Sequence, residues 1–120
     1  MRALIIDDED LIRNSLRRAF EIRKHEVVVA ENGLQGLELW QKYNPELVVL
    51  DVLMPGLTGP QVLKNIGSSS KSKVILISAY TGEYDIKKAE ELGAAFFIAK
   101  PFQNIFDVVD RAEKLISHAD

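Results

Sequence analysis

Leu47-Val48-Val49-Leu50-Asp51 decides the fold: four apolar residues in succession, then a carboxylate. Because the run is apolar at every position rather than at alternate ones, it reads as a strand covered on both faces. Strands of a parallel sheet with helices on either side have this character. Ala3–Ile6, Val27–Ala30, Val74–Ile77 and Phe96–Ala99 read the same way. Between the runs the apolar spacing becomes helical. Ile12, Leu16, Ala19 and Phe20 make one stripe, and Leu34, Leu37 and Trp40 a second. Val62, Leu63 and Ile66 mark a short helix after Pro60, and Ile86, Ala89 and Gly93 a fourth. The clearest stripe runs through Ile105, Val108, Val109, Ala112, Leu115 and Ile116. Asn44-Pro45 can stop the second helix, and Gly93 can stop the fourth. Strand and helix thus alternate five times, which predicts an α/β fold: a doubly wound parallel sheet of five strands with five helices.

The chain has 120 residues, enough for one domain, 1–120, with a single core and no staples. Its formal charge is −3, and its basic residues are scattered apart from Arg17, Arg18, Arg23 and Lys24, which read as a solvated helix face. Direct nucleic-acid binding, which needs a basic patch, is not expected. There is no cysteine, hence no disulfide, thiolate metal site or cysteine nucleophile, as suits a reducing cytoplasm. No apolar run approaches membrane-spanning length, and Ala3–Ile6 is too short for a signal peptide. Ser68-Ser69-Ser70-Lys71-Ser72 reads as a loop, and His25 and His118 as surface residues.

In a parallel doubly wound sheet the strands all end on one edge, where ligands bind. The first run ends in Asp7-Asp8-Glu9-Asp10, the third in Asp51, the fourth in Ser78 and the fifth in Lys100-Pro101. Asp7, Asp8 and Asp51 brought together repel unless a cation neutralises them. Oxygen ligands with room left for water and phosphate suit Mg²⁺, which prefers octahedral coordination at about 2.1 Å. Asp7 and Asp8 could instead cap the first helix; Asp51 and Lys100 on the same edge favour the metal, while Asp10 reads as a cap. Asp51 is then a candidate acyl-phosphate nucleophile. Catalysis at such a group needs mainly positioning and charge neutralisation, to which Lys100 brings a point charge and Ser78 a hydroxyl.

Ile5-Ile6-Asp7-Asp8-Glu9, Leu50-Asp51-Val52-Leu53-Met54-Pro55-Gly56 with Gly59, Ile77-Ser78-Ala79 and Ala99-Lys100-Pro101-Phe102 together resemble the response-regulator receiver family, including its stand-alone chemotaxis and phosphorelay types. The resemblance covers the whole chain and implies flavodoxin-like winding of the sheet, with strand order 2-1-3-4-5. It implies a signalling switch rather than an enzyme acting on an external substrate. Asp51 would accept a phosphoryl group from a histidine kinase or phosphotransfer protein. Mg²⁺ would sit on Asp8, Asp51 and the Leu53 backbone carbonyl, with Asp7 joining through water. Ser78 and Lys100 would contact the phosphoryl group, and Lys100–Pro101 would be a cis peptide. Ser78 and Phe97 would form the switch pair, read by a protein partner on the face of the fourth helix, fifth strand and fifth helix. Phe97 stands where many relatives carry Tyr; Phe96 and Phe102 read as core. Leu53 and Tyr80 are bulky where some relatives are polar, beside the path of an attacking water, so the phosphoryl group should be lost slowly.

A receiver-like module that is never phosphorylated is the alternative, though no acidic residue and no lysine of the motif is missing. Haloacid-dehalogenase-type phosphatases need an Asp two residues after the nucleophile, where this chain has Leu53. No GxxxxGK[ST] phosphate loop is present. With no output domain in these residues, regulation should act through protein contact, or the chain is part of something longer.

Overall fold

Consecutive apolar residues are explained by a sheet buried on both sides. The computed structural model describes residues 1–67, 70–79 and 85–117. Its elements are β1 (Arg2–Ile6), α1 (Asp10–Ile22), β2 (Glu26–Ala30), α2 (Gly33–Tyr43), β3 (Leu47–Asp51), α3 (Gly59–Ile66), β4 (Lys73–Ser78), α4 (Ile86–Glu91), β5 (Phe96–Ala99) and α5 (Phe106–Ser117). The strands form one parallel sheet, as the alternation predicts, in the order β2-β1-β3-β4-β5 that the resemblance implies. Successive side chains of each strand enter opposite cores. Leu4, Ile6, Val48, Leu50 and Leu76 pack with Trp40, Val62 and Ala89, on the side of α2, α3 and α4. Ala3, Ile5, Leu47, Val49, Ile75 and Ile77 pack with Leu16, Phe20, Val108, Val109 and Ala112, on the side of α1 and α5. Phe96 and Phe102 lie against this second core, half-buried.

Helix ends are set by local chemistry. Thr58 and Gln61 form a reciprocal capping box at the start of α3, and Asp85 caps α4 by accepting the Lys88 N–H at 2.8 Å. Asn44 closes α2 in the left-handed conformation, and Gly93 follows α4 with φ +95°.

Two expectations are corrected. Leu34 belongs to the apolar spacing of α2 yet is 63 % exposed. That helix approaches its neighbours through glycine instead: a Cβ on Gly36 would lie 2.6 Å from Ile6 Cδ1, and one on Gly33 2.7 Å from Leu57 Cβ. His25 is not a surface residue but half-buried, its Nδ1 3.0 Å from the Met1 amine and its Nε2 2.8 Å from Glu113. Nearby, Arg23 donates to Asp110 and Glu113 on α5, so part of the basic cluster joins helices rather than facing a ligand. His118 lies outside the described residues.

Candidate functional site

The C-terminal edge of the sheet gathers the polar strand ends. Asp7 directly follows β1, Asp51 and Ser78 are the last residues of β3 and β4, and Lys100 directly follows β5. Ladder bonds carried past the strands fix them: Asp7 N–H to Ala30 at 3.2 Å, Val52 N–H to Ile77 at 2.9 Å and Lys100 N–H to Ser78 at 2.9 Å. Asp7, Asp51, Ser78 and Lys100 are buried, and Asp8 is exposed. Each of Asp7, Asp8 and Asp51 offers a carboxylate oxygen within 4.8 Å of the others. Lys100 Nζ lies 2.8 Å from Asp7 Oδ2, 3.0 Å from Glu9 Oε1 and 3.4 Å from Asp51 Oδ1.

This packing is electrostatically tense. Burial first, and then the charge of Asp7, push the Asp51 carboxyl up from 3.8 to about 7; Lys100 opposes the rise and Asp8 adds to it. Burial pulls the Lys100 ammonium down, but Asp7, Asp51 and Glu9 outweigh it and hold it above its ordinary value. Asp7 Oδ2 is buried and has, among the described residues, no partner beyond its 2.8 Å ion pair with Nζ. A buried carboxylate oxygen in that state, beside two more carboxylates, fits a hard divalent cation such as Mg²⁺.

Arg13 and Glu9 also belong to the site, though the strand-end pattern does not single them out. Buried Arg13 donates to the Asp7 carbonyl at 2.8 Å and also pairs with Asp10. Their three-residue spacing on one helix was the available signal. Asp10 is therefore no cap: it is the first residue of α1 and its carboxylate is taken by Arg13. Glu9 occupies the N-cap position and makes no side-chain cap bond. After β3, Gly59 brings the start of α3 so close that a Cβ there would lie 2.6 Å from the Asp51 carbonyl oxygen. Leu53 is 54 % exposed, Phe97 is buried in the core on the α4 side, and the Lys100–Pro101 peptide is cis. Tyr80 lies outside the described residues.

The model of the response regulator receiver domain matches residues 3–111. This chain belongs to the response regulator receiver family. As a receiver domain of two-component signalling, it is 38 % identical over 117 residues to sporulation initiation phosphotransferase F of Bacillus subtilis, covering 96 % of this chain and 93 % of that protein. It is 35 % identical over 100 residues to the transcriptional regulatory protein AfsQ1 of Streptomyces coelicolor, covering 83 % of this chain but 44 % of that protein. The receiver thus spans under half of one such relative and nearly all of another. Among solved structures, the Francisella response regulator 1452 receiver domain superposes with a TM-score of 0.89 at 26 % identity, over 99 % of this chain and 98 % of that one. The response regulator domain of Thermotoga maritima CheB gives 0.81 at 28 % identity, over 99 % and 95 %. Receiver domains are signalling switches rather than enzymes that turn over a substrate, and no helix among the described residues is long and apolar enough to cross a membrane.

Proposed function

We propose that this receiver is switched by phosphorylation of Asp51. The observation that carries the proposal is the cluster of buried Asp7 and Asp51 with exposed Asp8, and the Lys100 ammonium 3.4 Å from the Asp51 carboxylate. The donor would be a phosphohistidine on a kinase or phosphotransfer protein. An Asp51 carboxylate oxygen attacks phosphorus, the P–N bond breaks with its electron pair leaving on the imidazole, and an acyl phosphate remains. Mg²⁺, held by Asp8, Asp51 and the Leu53 carbonyl with Asp7 behind them, would offset the negative charge of the carboxylates and of the arriving phosphoryl group. Lys100 and Ser78 are the residues to contact the phosphoryl oxygens.

The readout would be a shift between two packings involving Ser78 and Phe97, sensed by a protein partner on the α4–β5–α5 face. Leu53, two residues after Asp51 in sequence, and Tyr80, two after Ser78, are bulky residues that would not easily orient an attacking water, so the acyl phosphate should be long-lived. The domain is read as one unit over 1–120, working inside the cell.

Intact-mass measurement tests the central step. Incubation with candidate histidine kinases, or with acetyl phosphate and Mg²⁺, should add one phosphoryl group to the wild type and none to Asp51→Ala. A gain that survives Asp51→Ala would refute the assignment.

A further inference from the structure

Glu9 has two roles open to it, and its side chain takes the less local one. As the N-cap residue of α1 it sits where a side-chain oxygen ordinarily accepts a helix N–H, and it makes no such bond. Its carboxylate instead accepts a hydrogen bond from Lys100 Nζ at 3.0 Å, across 91 residues of sequence. The backbone that aims it is held at both ends. The Glu9 N–H donates to Asp7 Oδ1 at 2.9 Å, and the Glu9 carbonyl accepts from the Arg13 N–H at 2.9 Å. The Lys100 side chain is only 6 % exposed, whereas that of Glu9 is 58 % exposed, so Glu9 reaches the ammonium from the solvent side. Of the three carboxylates around Nζ, Asp51 is the most distant.

We infer that Glu9 is a positioning residue for Lys100, holding the ammonium toward the mouth of the site and away from Asp51 until a phosphoryl group takes its place. The inference rests on the proposed phosphoacceptor role of Asp51 and adds a regulator of its rate. In the resting site Lys100 divides its charge among Asp7, Glu9 and Asp51. To reach a phosphoryl oxygen on Asp51 it gives up Glu9, the exposed and most easily surrendered of the three. The grip therefore slows phosphorylation by a small donor that brings no protein to displace it.

The test separates grip from net charge. Glu9→Gln removes the charge. Glu9→Asp keeps it, but the shorter carboxylate falls short of Lys100 and is the preferred size for capping α1. Each variant and the wild type is phosphorylated with acetyl phosphate in Mg²⁺: the P–O bond to acetate breaks, acetate leaves, and the Asp51–phosphorus bond forms. Both variants should react about two- to five-fold faster, the size expected of a partly exposed ion pair. Without metal or donor, NMR of the lysine ammonium groups should show the Lys100 signal displaced in both variants relative to the wild type. Faster reaction of Glu9→Gln alone would mean that the charge acts at a distance and would overturn the inference, as would unchanged rates or an unmoved Lys100 signal. No labelling of the wild type, or labelling that persists in Asp51→Asn, sinks the proposed function and this inference with it. Labelling that depends on Asp51 but ignores Glu9 sinks the inference alone.

Discussion

Asp51→Asn should stabilise the metal-free protein at neutral pH and above. The native carboxyl is held at about 7 rather than 3.8, chiefly by burial and by Asp7. Between those values the native state keeps a proton that the unfolded chain has already lost. Stability therefore falls as pH rises through this window, and the loss is complete above about 7. At about 1.4 kcal/mol per pH unit, ionised Asp51 costs the fold on the order of 4 kcal/mol in the absence of metal. Asparagine keeps the shape without the charge. Lys100 is not orphaned by the change, because Asp7 and Glu9 remain at 2.8 and 3.0 Å. Urea unfolding followed by the fluorescence of buried Trp40 gives the assay, at pH 4 and pH 8 with chelator present. We expect near equality at pH 4 and an advantage of about 2–4 kcal/mol for Asp51→Asn at pH 8. Saturating Mg²⁺ should then raise the wild type, by about 2.7 kcal/mol at a hundred times its dissociation constant, and raise the variant less. Equal stability of the two proteins at pH 8, or the same pH slope in both, would refute the view that burial and the charge of Asp7 oppose the ionisation of Asp51.

Arg13→Met keeps the buried stem but abandons the Asp7 carbonyl, and should cost about 1–3 kcal/mol in urea unfolding and weaken Mg²⁺ binding measured by titration calorimetry. Gly59→Ala forces a methyl toward the Asp51 carbonyl oxygen, 2.6 Å away before any shift, and should cost about 1–3 kcal/mol by thermal unfolding and slow labelling by acetyl phosphate. Leu53→Asn offers a water-orienting amide beside the acyl phosphate at an exposed position, so loss of the label after donor removal should quicken; decay within seconds in the wild type, unchanged in the variant, would remove Leu53 from that role.

The strands and the site's edge were legible because one physical fact writes both into the chain. A strand buried on two faces must be apolar at every position, so its first polar residue marks where it emerges, and Asp51 and Ser78 stand at that place. Leu34 misled for the complementary reason. Apolar spacing reports which residues share a helix face, but a helix can pack through the absence of side chains, as α2 does at Gly33 and Gly36. The same limit hid Arg13 and Glu9. Sequence position fixes the place of a Cα, and for Asp7 or Lys100 that nearly suffices, since the strand leaves each buried at the edge. Glu9 and Asp10 lie where a carboxylate can cap, face water or cross to another element, and the sequence reads Asp10 as the cap. At Glu9 the crossing wins because of Lys100, a buried ammonium near three carboxylates. A charge taken out of water draws every partner within reach, because an uncompensated one costs several kcal/mol, whereas a helix cap contributes only about 1. Asp10 meets the same competition from buried Arg13. The acidic turn after β1 is thus shaped less by the helix it opens than by the two cations it must serve, and this is why its capping signals failed.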